Sequence, residues 1–148
     1  MSAGFTYFDA AGGKGVSGKG PTIQEAFAQV GVGAFALAVD PASVEEREAR
    51  AVRAHGVDAA DLLVNWLNEC LYVLDVEGFA ARRVEFIAFT IDAAGLGGEP
   101  LRLHCLLHGE EADPARHGSW LSLSGFSREG AAVTQGPEGF EARAISLG

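Results

Sequence analysis

Apolar residues recur at helical spacing in two long stretches of the chain. Thr22 and Glu25 have the spacing of a capping box before the first stretch, and Asp58 stands at an N-cap position before the second. The pattern therefore predicts helices over residues 22–39 and 58–75. Their apolar positions are Ile23, Ala26, Phe27, Val30, Ala34, Leu37 and Ala38, then Leu63, Trp66, Leu67, Cys70, Leu71 and Leu74.

Strand patterns occupy most of the remaining chain. Alternation of apolar and polar residues predicts a strand over 101–108, and a β-prone run predicts another over 84–91. A turn predicted at 93–100 separates these two strands. Shorter strands are predicted at 5–8, 119–126, 130–135 and 140–147. Together the elements predict an α+β fold, with two helices packed on one face of a mainly antiparallel sheet. We expect one domain over residues 1–148. The side chains expected to be buried are Phe27, Leu63, Trp66, Phe86 and Leu103.

The segment PASVEEREARAVRAHG, residues 41–56, has the composition of a helix. Ala, Glu and Arg favour that structure, and Ser43 with Glu46 has the spacing of another capping box. Local propensity alone would make this segment helical.

The glycine-rich run GGKGVSGKGPT, residues 12–22, resembles a phosphate-binding loop. Gly13, Gly18 and Lys19 fit G-x-x-x-x-G-K, but Gly20 replaces the Ser or Thr whose hydroxyl holds Mg²⁺. Pro21 then prevents a helix from beginning at the lysine. The run predicts turn structure, with a short returning strand or a loop over residues 15–20, and no nucleotide binding. An anion held by Lys14 and Lys19 is a weaker hypothesis than two solvated lysines.

Composition narrows the function classes. The chain has 148 residues, 48% of them hydrophobic, and a formal net charge of −9. This charge disfavours direct binding to nucleic acid, which needs clustered Lys and Arg. The absence of a long apolar run and of a secretory signal predicts no membrane association and a cytoplasmic location. Cys70 and Cys105 lie in apolar contexts and are expected to be buried.

The order of the motifs resembles that of the archease family. The run from Asp9 follows the family pattern D-H-x-A-D-x-G-x-x-x-x-G-P-T, and DAADLLVNWLNECLYVLD is similar to the family's second helix. The turn HGEEADPARHG resembles the family's G-E-x-x-D-x-x-R-H. The matching residues are Asp9, Gly15, Gly20, Pro21, Thr22, Glu25, Ala26 and Phe27, then Gly109, Glu110, Asp113, Arg116 and His117.

This resemblance implies a fold and a role. Archeases are built on a strand-helix-strand-strand unit, and the segment before their second helix is a strand, so we expect a strand near residues 49–54. The family's members are non-catalytic protein cofactors of a tRNA-splicing type of RNA ligase, which they help through its guanylylation step. Acidic residues that bind a divalent cation, such as Ca²⁺ or Mg²⁺, take part in that activity, as does a lysine in a late strand.

The chain departs from the family at those positions. Ala10 stands at the family's His, Gly13 at its second Asp and Ser146 at the Asp of its C-terminal strand. Asp9 is the family carboxylate that remains, and the stretch matching the lysine strand, WLSLSGF, contains no lysine. Because a hard cation needs several oxygen ligands, the sequence predicts a scaffold that has lost its cation site.

Histidines and carboxylates offer two further candidate sites. His104 and His108 would lie about 13 Å apart on one strand, too far for a shared zinc ion. Glu110, Asp113 and His117 are a candidate partner or ligand contact, but a structural turn begun by Asp113 and capped by Glu110 is favoured.

Two functions follow from the sequence. The leading hypothesis is an archease-like accessory protein with a protein partner, possibly an RNA ligase, and no enzymatic activity. The alternative is a small-molecule or metal-binding module, or a small enzyme, that reuses the scaffold around His104, His117 and Glu110. No Ser/His/Asp or Cys/His arrangement in the sequence supports a nucleophilic enzyme.

Overall fold

A computed structural model describes residues 3–10, 13–90, 101–117 and 124–147. Every strand pairing among these residues is antiparallel, which confirms the predicted α+β class. The strands are β1 (Gly4–Ala10), β2 (Gly13–Gly20), β3 (Glu48–Gly56), β4 (Phe79–Thr90), β5 (Leu101–Glu111), β6 (Gly125–Gly136) and β7 (Gly139–Leu147). The helices are α1 (Ile23–Ala38), α2 (Ala59–Asp75) and the single turn α3 (Pro114–His117).

The strands form two sheets, which corrects the single sheet predicted from the sequence pattern. One sheet has the order β1-β2-β7-β6 and the other the order β3-β5-β4. Helices α1 and α2 each contact strands of both sheets. The core therefore lies where the two helices meet the inner faces of the two sheets.

Both long helices begin where their caps predict. The Thr22 hydroxyl accepts a hydrogen bond from the Glu25 amide at 3.1 Å, and the Asp58 carboxylate accepts one from the Asp61 amide at 2.8 Å. Each cap satisfies an amide that has no partner within the helix. The predicted bounds of 22–39 and 58–75 differ from those observed by one residue at the most.

The segment after α1 is a strand, as the family resemblance implies and against local propensity. After a short 3-10 turn at Pro41–Ser43, β3 pairs along its whole length with β5. Val52, Ala54 and Gly56 are buried on one face while the residues between them are exposed. Burial of this alternating face outweighs the helix propensity of its Ala, Glu and Arg residues, because propensity is a small term beside tertiary packing.

The predicted core is mostly confirmed. Trp66, Phe27 and Leu63 are fully buried, and Leu103 is buried as well. Phe86 is only partly buried, which corrects the prediction for that residue. Its ring packs 5.5 Å from that of Trp66, but β4 is irregular directly after it, so the strand does not present a regular inner face there.

Both cysteines are buried and unpaired, as predicted. The Trp66 indole donates a hydrogen bond to Cys105 Sγ at 3.3 Å, so a buried polar group has its partner. Burial raises the pKa of the Cys105 thiol to about 11. At neutral pH the thiol is therefore protonated and acts as part of the core.

Residues 13–20 of the glycine-rich run form a strand, so the strand is the correct one of the two structures predicted for residues 15–20. β2 covers Gly13–Gly20 and pairs with both β1 and β7. At Gly18, an added Cβ would lie 2.5 Å from the Ala26 carbonyl oxygen and 2.6 Å from the Val30 nitrogen. The glycine therefore allows the backbone of α1 to lie directly against β2.

Some predicted elements fall outside the described residues. These are the turn at 93–100, the last residue of the strand predicted at 84–91, and the strand predicted at 119–126 except for its final three positions. Within the described part of the chain, no helix has the length and apolar character needed to cross a membrane.

Candidate functional site

Three strands bring together the positions at which the family resemblance implies cation ligands. Asp9 lies near the end of β1, Gly13 begins β2 and Ser146 lies near the end of β7. Ser146 Oγ is 3.3 Å from the Lys14 amide and donates to the Lys14 carbonyl at 2.8 Å. The alignment made from the sequence therefore places Gly13 and Ser146 side by side, and these residues with Asp9 are called the tip residues.

The tip residues do not suit a divalent cation. The Asp9 side chain is fully exposed, and its carboxylate lies 3.4 Å from Lys14 Nζ. Gly13 has no side chain, and the Ser146 hydroxyl is already engaged by the Lys14 backbone. One exposed carboxylate beside an ammonium group cannot replace the several oxygen ligands that Ca²⁺ or Mg²⁺ requires.

A second group of family-matched residues lies where β5 runs into α3. It consists of Glu110, Asp113, Arg116 and His117, and is called the corner cluster. Glu110 Oε1 accepts from Arg116 at 2.6 Å. Glu110 Oε2 accepts from the Glu45 amide at 2.7 Å and lies 3.1 Å from His117 Nε2. The carboxylate is 4% exposed and joins β5 to α3 and to the segment before β3.

The hydrogen bonds define the state of His117. Its Nδ1 accepts from the Asp113 amide at 2.9 Å, so that nitrogen carries no proton. The proton is therefore on Nε2, which donates to Glu110. The Asp113 carboxylate accepts from the Ala115 amide at 3.0 Å and so caps the turn, which corrects the prediction that Glu110 is the cap.

The corner cluster holds Glu110 as a permanent anion. The hydrogen bond from Arg116 and then that from the Glu45 amide lower the pKa of Glu110 to about 2. Arg47 Nε lies 3.4 Å from the same carboxylate. Such a carboxylate cannot act as a general acid near neutral pH, and its oxygens are committed to internal donors. The arrangement is typical of a structural junction.

The alternative site built on His104, His117 and Glu110 is not assembled. His104 projects from the outer face of β5, and six residues separate it from Glu110 on the same strand. That separation is about 20 Å. His108 instead lies 2.7 Å from the Glu85 carboxylate. Among the described residues no group of three or more His, Cys, Asp or Glu side chains could hold a metal ion.

Lys14 and Lys19 do not form a joint anion site. Both are exposed, but they are five positions apart on β2 and therefore project from opposite faces. Lys14 pairs with Asp9, and Lys19 lies opposite Glu141 on β7.

Two partners of Glu110 are not identifiable from the sequence. Glu45 and Arg47 reach Glu110 from the other side. They are more than 60 positions away from it in the chain, and no local pattern connects them.

Comparison with known proteins identifies a family that shares this sequence pattern. The model of the Archease protein family (MTH1598/TM1083) matches residues 5–146. The chain belongs to the archease family. It is 34% identical over 103 residues to the Protein archease of Pyrococcus abyssi, an alignment that covers 70% of this chain and 68% of that protein. It is 25% identical over 114 residues to Protein archease-like of Drosophila melanogaster, covering 76% and 69% of the two chains.

A solved structure shows the same archease fold. The solution structure of Methanobacterium thermoautotrophicum Protein 1598 superposes with a TM-score of 0.75, covering 97% of this chain and 99% of that one at 23% identity. The likeness extends from β1 to β7. Both the tip residues and the corner cluster are thus parts of one archease scaffold.

Proposed function

We propose that this archease is a non-catalytic accessory protein that binds a tRNA-splicing type of RNA ligase and no longer uses the family's cation. Membership of the family over residues 5–146 supports the partner class. The observation that carries the rest is the state of the tip residues, where the matched positions offer one exposed carboxylate. A role through protein contact needs the scaffold, which is retained, and not the cation.

The corner cluster supports a non-enzymatic role. Its buried carboxylate is bonded to Arg116, His117 and a backbone amide. No proton is held there for transfer, because the Glu110 pKa is about 2 and the His117 proton is engaged. The cluster holds α3 and the segment before β3 in place. A partner that binds this surface needs no catalytic group from this chain.

The test is a reconstituted guanylylation assay. The RNA ligase of the same organism is incubated with GTP and either this chain or an archease that retains its acidic residues. We expect this chain to co-elute with the ligase in gel filtration, to add no stimulation and to reduce the stimulation given by the intact archease.

A matched control converts the intact archease. Replacement of its two acidic residues by Gly and Ser, at the positions that match Gly13 and Ser146, should make it behave as this chain does. Failure of this chain to associate with the ligase or to compete would contradict the accessory role. Stimulation that depends on a divalent cation would contradict the loss of the cation site.

A further inference from the structure

An open groove lies between the C-terminal half of α2 and the place where β6 begins and β7 ends. It has a volume of about 390 Å³, and its described walls include Tyr72 and Val76 of α2 and Leu147 of β7. It is called the α2 groove. Six large hydrophobic side chains are exposed among the described residues, and these three are half of them, at 56%, 65% and 43% exposure. Exposed apolar side chains that gather around one groove mark an interaction surface, whereas scattered ones need no explanation.

Hydrogen bonds fix the walls of the α2 groove. The Phe126 amide donates to Asn68 Oδ1 at 2.8 Å, and Asn68 Nδ2 donates to the Phe126 carbonyl at 3.4 Å. The amide of Ser124, just before β6, donates to the Leu147 carbonyl at 3.3 Å. These bonds join α2 to β6 and β6 to β7. Because the walls are already ordered, a partner that binds there loses less free energy to ordering this chain.

The α2 groove is acidic where the helix ends. Asp75 is the last residue of α2 and lines the groove, and Glu69 is exposed three residues before Tyr72, so those two side chains are neighbours on the helix surface. The last turn of α2 contains no basic residue, and the described lining of the groove contains none either. The carboxyl end of a helix carries a partial negative charge that favours cations. A Lys or Arg side chain of a partner is therefore favoured beside the apolar walls.

An RNA ligase can supply that chemistry. An enzyme that binds RNA needs Lys and Arg clustered on its surface, and this chain has a formal net charge of −9. We propose that the α2 groove is the docking surface for the ligase and receives an apolar side chain of the ligase flanked by Lys or Arg. This inference rests on the proposed function, because it takes the ligase as the partner. A second copy of this chain fits less well, since a two-fold contact would bring the same carboxylates together.

The test is isothermal titration of the ligase of the same organism with variants of this chain. Tyr72→Ala removes the aromatic wall of the groove and should weaken the affinity about tenfold or more, as loss of a central aromatic anchor does. Val57→Ala is the matched control, because Val57 is 82% exposed and precedes α2, outside the groove. It should leave the affinity unchanged.

Glu69→Lys tests the charge of the groove separately. It places a cation where the partner's Lys or Arg is expected, and it should weaken the affinity and reduce its dependence on salt. Glu138→Lys is the control, because it makes the same change in net charge. Glu138 is exposed in the turn between β6 and β7, at the far end of that hairpin from the groove.

The outcomes separate this inference from the proposed function. If the unmodified chain binds the ligase and Tyr72→Ala binds as tightly as Val57→Ala, the groove is not the docking surface, although the accessory role stands. Equal losses in Glu69→Lys and Glu138→Lys would contradict a basic partner segment at the groove, since they would indicate a general charge effect. If the unmodified chain does not bind, the proposed function fails and this inference fails with it. A change from dimer to monomer of the chain alone in Tyr72→Ala would assign the groove to a second copy and overturn the proposal.

Discussion

The tip residues and the corner cluster both lie at positions singled out by the family resemblance, but they differ in charge and bonding. At the tip, Gly13 and Ser146 stand where the resemblance implies carboxylates, and Asp9 is exposed beside a lysine. At the corner, every charged residue of the motif is present and bonded. The Glu110 carboxylate by itself accepts three hydrogen bonds, from a backbone amide, an arginine and a histidine.

The difference teaches which residues the fold itself requires. Ser146 fits its place with a hydroxyl bonded to the Lys14 backbone, so the sheet persists without carboxylates at the tip. Glu110 is buried among donors, and its replacement would leave them without a partner. A side chain needed only for binding a cation can be replaced at little cost to the fold, whereas replacement of one that closes a buried network destabilises the fold.

The largest expected effect on stability comes from a glycine of β2 that lies against α1. Gly18→Ala would place a Cβ 2.5 Å from the Ala26 carbonyl and should force α1 away from β2. We expect a loss of about 3 kcal/mol in the free energy of unfolding, as overpacking against backbone typically gives. Urea denaturation measures it.

Gly4→Ala is the control for this substitution. Gly4 lies on β1, and nothing lies within 4 Å of a Cβ built there. Its replacement should leave the free energy of unfolding nearly unchanged. Equal effects at Gly4 and Gly18 would show that strand propensity, and not the contact with α1, explains the glycine.

Glu110→Gln tests whether the corner is structural. In the folded chain the pKa of Glu110 is lowered from 4.5 to about 2, so the charged carboxylate stabilises the fold above about pH 4.5. This contribution is lost as the pH falls through about 2. The amide presents donors to donors, and we expect Tm to fall by several degrees at neutral pH. The difference in Tm between Glu110→Gln and the unmodified chain should narrow as the pH falls from 4.5 to 2.

Glu85→Gln provides the comparison on the surface. Glu85 also bonds to a histidine, but its side chain is 47% exposed. Screening by water should make its effect on Tm small. If the Tm difference between Glu110→Gln and the unmodified chain stayed constant with pH, the stabilisation by Glu110 would depend on its shape and not on its charge.

The contrast also explains how far sequence reasoning reaches. Helices α1 and α2 have apolar faces and caps within a few residues of each other, so local pattern predicts their bounds. β3 has helical propensity and becomes a strand because β5 pairs with it, and that partner lies about fifty residues away in the chain. The division of the strands into two sheets is likewise set by long-range pairing.

The sites show the same division between local and long-range information. The family motifs align Gly13 and Ser146, which the structure brings together from opposite ends of the chain. The match to the family motifs therefore predicted a contact between residues that are far apart in the chain. The partners of Glu110 at Glu45 and Arg47 belong to no motif and lie on the far side of a long-range contact. Glu45 and Arg47 contact Glu110 only through tertiary packing, which no local sequence pattern predicts.

A smaller effect is expected from cations at the tip. The unmodified chain should show no submillimolar binding of Ca²⁺, Mg²⁺ or Mn²⁺ and no rise in Tm when they are added, because ligand binding to the folded state would raise it. Gly13→Asp with Ser146→Asp should restore a cation-dependent rise in Tm. The variant itself should be less stable, because a Cβ on Gly13 would meet the Ser146 carbonyl.

Two results would contradict this account of the tip. Tight binding by the unmodified chain would show that residues besides Asp9 coordinate the cation. A folded double variant with no cation response would show that the matched positions do not form the family's site. Gly13→Ala with Ser146→Ala is the control, since it carries the steric change without carboxylates.

The smallest expected effect is the response to nucleotides at β2. Gly13, Gly18 and Lys19 match a phosphate-binding loop in letters, but the run is a paired strand whose backbone groups bond to β1 and β7. A phosphate cradle needs amides that point freely at the ligand, followed by a helix that begins at the lysine. Here α1 begins after Pro21, with Thr22 as its cap. Titration with ATP or GTP and Mg²⁺ should therefore shift no amide of β2, and Lys19→Ala should change nothing. Shifts in β2 that disappear in Lys19→Ala would reverse this conclusion.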